Sequence, residues 1–183
     1  MSTHFTGEKV RLVAADGDTA TDLVMLWQAN SEYYRLLDDD PQIPATPKQI
    51  RAFLDEKDPG SRGGFFLIRT LGDDKPIGFV AHWRPTPIDI GNHWLAIGIG
   101  NPDYWGSGYG GDALRILTRY GFSHLDLHRF TLSVFEYNAR AIKAYENVGF
   151  KLEGRVRESF QRDGRRWDLL VMGLTREDWL AAQ

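Results

Sequence analysis

Cysteine is absent from this chain. Its absence excludes disulfides, a catalytic thiol, a covalent cysteine intermediate and any cysteine-based zinc site, and leaves the redox compartment unreadable. No stretch approaches the roughly 18 consecutive apolar residues of a membrane-spanning helix. Met1 to Val10 is polar, with no apolar run behind a basic tip, so a signal peptide is not expected either, and a cytoplasmic protein is the default. A strong charge of one sign is also missing. The formal net charge of -3 offers nucleic acid no global attraction, although Arg155, Arg157, Arg162, Arg165 and Arg166 form a local basic cluster that solubilises a hairpin or meets a phosphate. Internal repeats and low-complexity tracts are lacking. His124 and His128 flank Leu125 and Leu127 without the spacing of a metal site, so no metal is expected.

The 183 residues, 42% of them hydrophobic, suffice for one domain with a real core. Val10 to Val13 reads as a first strand. Leu23, Leu26 and Trp27 recur at helical spacing within Asp18 to Asn30, and a second helix is expected from about Thr46 to Lys57. Between them Ser31 to Pro47 mixes aromatics with Asp38 to Asp40 and several prolines, and reads as irregular. Phe65 to Thr70, Pro76 to Trp83 and Asn92 to Ile99 read as three strands. A helix follows from near Gly108 to about Phe122, then a strand from Arg129 to Phe135 with Leu132 and Val134 on one face. Asn138 caps a short helix ending at Gly149, and a strand from Phe150 to Phe160 turns at Arg162 to Gly164 and returns through Trp167 to Leu174. This order predicts a mixed α/β sheet with helices on both faces.

The segment richest in chemistry is Asn101 to Leu114, NPDYWGSGYGGDAL. Gly106, Gly108, Gly110 and Gly111 permit positive φ and close approach of a ligand, and the helix that opens there has unpaired amides at its positive end, which suits a pyrophosphate. Neither GxxxxGK[ST] nor GxGxxG is matched, so the glycines alone are compatible with a ligand loop or an ordinary turn.

Two segments together resemble the GNAT superfamily of acetyl-CoA-dependent N-acetyltransferases. One is YWGSGYGG, Tyr104 to Gly111, similar to the family's Arg or Gln, two residues, Gly, one residue, Gly or Ala. Trp105 departs from the usual Arg or Gln, in a form similar to the branch that acetylates ribosomal-protein N-termini. The other is SVFEYNARAIKAYENVGFKLEGRVRESF, Ser133 to Phe160, with Asn138, Tyr145 and Gly149-Phe150 at the positions of the family's asparagine, tyrosine and glycine-phenylalanine. Its Glu153-Gly154 and the hairpin Gln161 to Arg166 are similar to polyamine and ribosomal-protein acetyltransferases.

The resemblance implies a single domain over residues 1–183 with a three-layer GNAT fold, a mixed, mostly antiparallel sheet of about seven strands flanked by helices. It implies acetyl-CoA as acetyl donor and a primary amine as acceptor: a protein N-terminus, a polyamine or a small molecule, acetylated by direct transfer in a ternary complex. The donor would lie along Ile97 and Ile99 and rest its pyrophosphate on the backbone of Trp105, Gly106, Ser107, Gly108, Tyr109 and Gly110, with Asn138 a further contact. Tyr145 would be the general acid. No carboxylate stands on HWLAIGIG, which leaves His93 as the nearest titratable candidate for general base, with His82 one strand earlier. Glu32, Tyr33 and Tyr34, with the acidic run, would meet a cationic amine. The alternative is a non-catalytic module that binds an acyl-CoA on the same fold. No stable nucleic-acid or membrane partner is expected, and the oligomeric state, monomer or homodimer, stays open.

Overall fold

A computed structural model describes residues 3–14, 17–38, 45–56, 63–86 and 91–182. Seven strands, β1 (Val10–Ala14), β2 (Gly64–Thr70), β3 (Pro76–Trp83), β4 (Asn92–Ile99), β5 (Arg129–Phe135), β6 (Lys151–Arg162) and β7 (Arg165–Thr175), form one sheet in the order β1-β2-β3-β4-β5-β7-β6. All neighbours are antiparallel except β4 and β5. The mixed, mostly antiparallel sheet expected above is therefore present, with helices on both faces.

One face is covered by α4 (Tyr109–Ser123), whose Ala113, Leu114, Ile116, Leu117 and Phe122 are buried against Val10, Ile68, Val80, Leu95, Phe130 and Leu132. The other face holds α1 (Gly17–Gln28), α2 (Ser31–Leu37) and α3 (Pro47–Glu56), which bury Val24, Trp27, Tyr33, Ile50 and Leu54 over Leu67, Phe79 and Ala81. The helix α5 (Ala139–Glu146) follows β5, and α6 (Arg176–Ala181) follows β7.

Two elements depart from the sequence expectation. Ser31 to Leu37 is helical, not irregular, because Asn30 caps it by accepting from the Tyr33 N–H at 3.0 Å. The final helix α6 was not expected; Thr175 starts it by accepting from the Asp178 N–H at 3.1 Å. Asp39, Asp40 and Lys57, at the ends of two expected segments, lie outside the described residues.

At the tip between β6 and β7, Asp163 and Gly164 take φ of 54° and 71°, the paired left-handed residues of a two-residue hairpin turn that keeps Arg162 opposite Arg165. Four of the five clustered arginines spend their guanidinium groups inside the chain. Arg155 reaches Asp168 at 2.6 Å, Arg165 stacks on Trp167 at 3.9 Å, Arg166 donates to the Glu158 carbonyl at 3.3 Å, and Arg162 crosses to α2.

Candidate active site

β4 and β5 pair only through Asn92↔Arg129, His93↔Phe130 and Trp94↔Thr131, then splay apart. The rest of β4 stays bonded to β3, up to Ile99 opposite Gly78. The Gly100 N–H donates to the Ile77 carbonyl on the β3 side at 2.8 Å. Main-chain groups alternate along a strand, so the N–H and C=O of Leu95, Ile97 and Ile99 point the other way, into the gap. Consistent with that direction, the Ile99 carbonyl accepts from the Trp105 indole N–H at 2.6 Å. The gap is a cleft of about 850 Å³ with the glycine turn at its mouth.

At that turn Gly106 and Gly108 adopt φ of 72° and 85°, which explains the two glycines by backbone conformation. Gly108 is the N-cap of α4 without a side-chain cap, so the first amides of the helix are left for another partner. Gly110 and Gly111 are different. Each has an ordinary φ, and an added Cβ would meet only ordinary contacts at 3.6 Å or more. No described neighbour requires glycine there, and both line the cleft.

The cleft collects Ile97, Ile99, Trp105, Gly106, Gly108, Gly110 and Asn138 from the expected donor site, Tyr145 from the expected catalytic pair and Tyr33 from the expected acceptor residues. The side chains of Ile97 and Ile99 pack toward the α4 core while their main chain faces the cleft. Ser107 and Tyr109 are not on the lining; Tyr109 packs edge-on to Tyr104 at 5.1 Å. Asn138 has both polar ends engaged, accepting from the Ala141 N–H at 3.2 Å as the α5 cap and donating to the Leu36 carbonyl at 3.4 Å. Glu32 and Tyr34 fall off the lining because a helix turns residues 33, 36 and 37 to one side.

His93 is not brought to the cleft. Period-two alternation puts its side chain with Leu95 on the α4 face, where its Nδ1 lies 2.7 Å from the Nδ1 of His82 and both rings are buried. Burial, then the neighbouring His93, holds the His82 imidazole down at about 3, and burial followed by Arg84 lowers His93. Both rings are therefore neutral in the folded protein at pH 7, and the expectation that His93 serves as base is corrected to a structural pair.

This pair has a consequence for stability. The folded pKa of His82 lies below the unfolded value of about 6.5, so below that pH the unfolded chain binds the extra proton and stability falls as pH falls. Urea unfolding at pH 5 should show a loss of about 2 kcal/mol relative to pH 7.5 from His82 alone. His82→Gln should flatten that dependence, and equal pH slopes in the two proteins would remove the pair as its cause.

Tyr145, buried on α5, packs edge-on to Phe150 at 6.0 Å and makes no hydrogen bond among the described residues. Burial pushes its phenol up to about 12, so it stands in the cleft as a neutral donor. Three cations missed in the sequence also line the cleft: Arg115, Arg140 and Lys143. Arg140 stacks on the Trp105 indole at 4.0 Å; desolvation lowers its pKa and the Glu32 charge raises it. The spacing of Arg140, Lys143 and Asn147 on one helical face was the available signal.

The roof of the cleft is α2, whose C-terminal carbonyls are held by side chains from two other elements. Tyr137 Oη donates to the Arg35 carbonyl at 2.7 Å, while Arg162 donates to the carbonyls of Arg35 at 2.5 Å and Asp38 at 2.9 Å. A guanidinium there also complements the negative end of the helix.

Residues 9–151 match the model of the acetyltransferase (GNAT) domain family. The uncharacterized N-acetyltransferase YnaD of Bacillus subtilis is 25% identical over 84% of this chain and 89% of its own length. Among solved structures, spermidine N-acetyltransferase from Vibrio cholerae, in complex with CoA and spermine, superposes with a TM-score of 0.81 at 20% identity over 93% of this chain and 98% of that one. The ribosomal-protein-S5-alanine acetyltransferase from Vibrio fischeri superposes with a TM-score of 0.77 at 18% identity, covering 96% and 97%. At these identities the two structures establish the shared fold.

Proposed function

The chain belongs to the GNAT family of N-acetyltransferases, and on that premise we propose that it moves an acetyl group from acetyl-CoA to a primary amine in a ternary complex. The observation that carries this reading is the free edge of β4, whose cleft-facing amides and carbonyls lead to the glycine turn. A ligand with an amide-bearing arm can pair with that edge as a strand would, and its diphosphate can take the first amides of α4. Gly110 and Gly111, which no described neighbour requires, leave room for that approach. Arg115, Arg140 and Lys143 add positive charge to the same wall. Trp105 occupies the place where the family's pattern has Arg or Gln, and the guanidinium of Arg140 arrives on its ring.

Acetyl-CoA supplies an acyl group on a good leaving sulfur. The chain's part is positioning and proton handling. The cleft-facing N–H groups of Ile97 and Ile99 can hold the carbonyl oxygen as negative charge builds on it. Tyr145 can give its proton to the departing sulfur. For the acceptor, the names of the relatives point to a polyamine, as in the spermidine N-acetyltransferase, or to a protein alanine, as in the ribosomal-protein-S5-alanine acetyltransferase.

Calorimetry should find coenzyme A binding with a dissociation constant between roughly 1 μM and 1 mM, the range of ordinary substrate affinities. An acetyl-CoA consumption screen over peptides, spermidine, aminoglycosides and amino-acid amides should find an acceptor. Folded protein that binds no coenzyme A would overturn the reading.

A further inference from the structure

The two sides of the cleft differ in chemistry. Its cations, Arg115, Arg140 and Lys143, come from α4 and α5, whereas the side beneath α2 is walled by Leu36, Leu37, Trp83, Trp94, Phe135 and Tyr33. Trp83 and Trp94 are directly opposed across β3 and β4. Among the described lining residues Asp38 is the one carboxylate, and the Arg162 guanidinium sits on its main-chain oxygen at 2.9 Å.

Tyr33 is the polar exception in this wall. It is 4% exposed, its hydroxyl makes no hydrogen bond among the described residues, and burial holds the phenol far above its ordinary value. The ring lies over Gly98, where an added Cβ would come within 2.5 Å of the hydroxyl oxygen. Gly98 stands between Ile97 and Ile99, whose amides face the cleft. A hydroxyl on the cleft wall with no hydrogen-bond partner among the described residues is available to a polar atom of the substrate.

We propose that the Tyr33 hydroxyl is the contact that holds the reacting nitrogen of the acceptor, and that the wall around it selects amines arriving uncharged, the α-amino group of a peptide or amino-acid amide over an alkyl polyamine. This rests on the acetyl-transfer reading above. Among the described residues the charged and titratable groups on or beside the cleft wall are Asp38 and Glu32 from α2, Arg115 from α4, and Arg140, Lys143 and Tyr145 from α5. Three of these six groups, Arg115, Arg140 and Lys143, are cations, which oppose a polycation. A wall that is apolar but for Tyr33 and, among the described residues, the one carboxylate of Asp38 penalises an ammonium ion. At pH 7.5 roughly a third of an α-amine is already neutral, against roughly one in a thousand of an alkyl amine with a lysine-like pKa. In the transfer the acceptor nitrogen forms the C–N bond as the C–S bond breaks and sheds one proton to water. Tyr145 gives its proton to the sulfur and recovers one from solvent, so the balance closes without a basic residue.

The test compares phenylalaninamide with spermidine at pH 7.5 under saturating acetyl-CoA. The amide should have a kcat/KM at least tenfold higher, and Tyr33→Phe should raise its KM about tenfold with coenzyme A affinity and melting temperature unchanged, since the ring remains. Equal or better use of spermidine overturns the proposal, as does an unchanged KM in Tyr33→Phe. A larger loss with spermidine in Asp38→Asn than with the amide in Tyr33→Phe would hand recognition to the carboxylate and overturn it too. If coenzyme A binds but neither amine is acetylated, the catalytic reading fails by itself. Calorimetry of phenylalaninamide on the coenzyme A-loaded protein then decides, with tenfold weaker binding to Tyr33→Phe upholding the Tyr33 contact and equal or absent binding to the two proteins refuting it.

Discussion

Replacing Tyr145 with phenylalanine should lower kcat by about a hundredfold while the affinity for coenzyme A changes by less than about threefold. The variant is a clean one. The hydroxyl makes no hydrogen bond among the described residues, and the ring that packs on Phe150 is kept, so the fold has no reason to suffer. A positioned proton donor contributes roughly 10²–10⁴ in rate, and a phenol held at about 12 keeps its proton across the working pH range. The reading depends on chemistry being rate-limiting, which single-turnover mixing establishes directly. An unchanged single-turnover rate would remove Tyr145 from the acid role and leave it a packing residue.

The largest effect on stability should come from Asp112, a residue that takes no part in the cleft. Its carboxylate is buried at the first turn of α4 and accepts from three successive main-chain amides, Glu8 at 3.1 Å, Lys9 at 2.7 Å and Val10 at 3.0 Å. Gly7 fits beside it because a Cβ there would come within 2.5 Å of the carboxylate oxygens. These bonds tie the start of β1, at one end of the sheet, to the helix that opens at the glycine turn. Asp112→Ala leaves the buried Val10 N–H and the half-buried Glu8 and Lys9 N–H groups without this partner and should cost roughly 3–5 kcal/mol, or about 6–20 °C in melting temperature for a chain of this size. Asp112→Asn keeps an oxygen acceptor and should lose less. Differential scanning calorimetry showing a shift under about 2 °C for the alanine variant would contradict the assignment.

Much of the framework was legible because periodicity survives in single elements. The strands Pro76–Trp83, Asn92–Ile99 and Arg129–Phe135 stand at the boundaries read from their alternation and turn signals. The short α2 escaped notice because its Leu36 and Leu37 run into an acidic, proline-rich stretch, although Asn30 with Glu32 in the first turn was a readable start. Once the segment is helical, the choice among Glu32, Tyr33 and Tyr34 follows from its facing, which an irregular segment cannot supply. His93 was a different case. Proximity in sequence made it a base, yet the alternation of its own strand already placed it with Leu95, away from the gap. The splay between β4 and β5 had no local signature, since it depends on where a distant strand stops pairing.

The gap lies within the sheet, and its lining is drawn from both faces, α4 and α5 as well as α2. The donor wall belongs to the α4 and α5 side and the acceptor wall to the α2 side, so the two substrates would use separate doors and meet only where β4 and β5 part. Traffic through one door need not wait for the other. Under the acetyl-transfer reading, spent coenzyme A would leave without displacing the acetylated amine, and each product would compete with its own precursor alone.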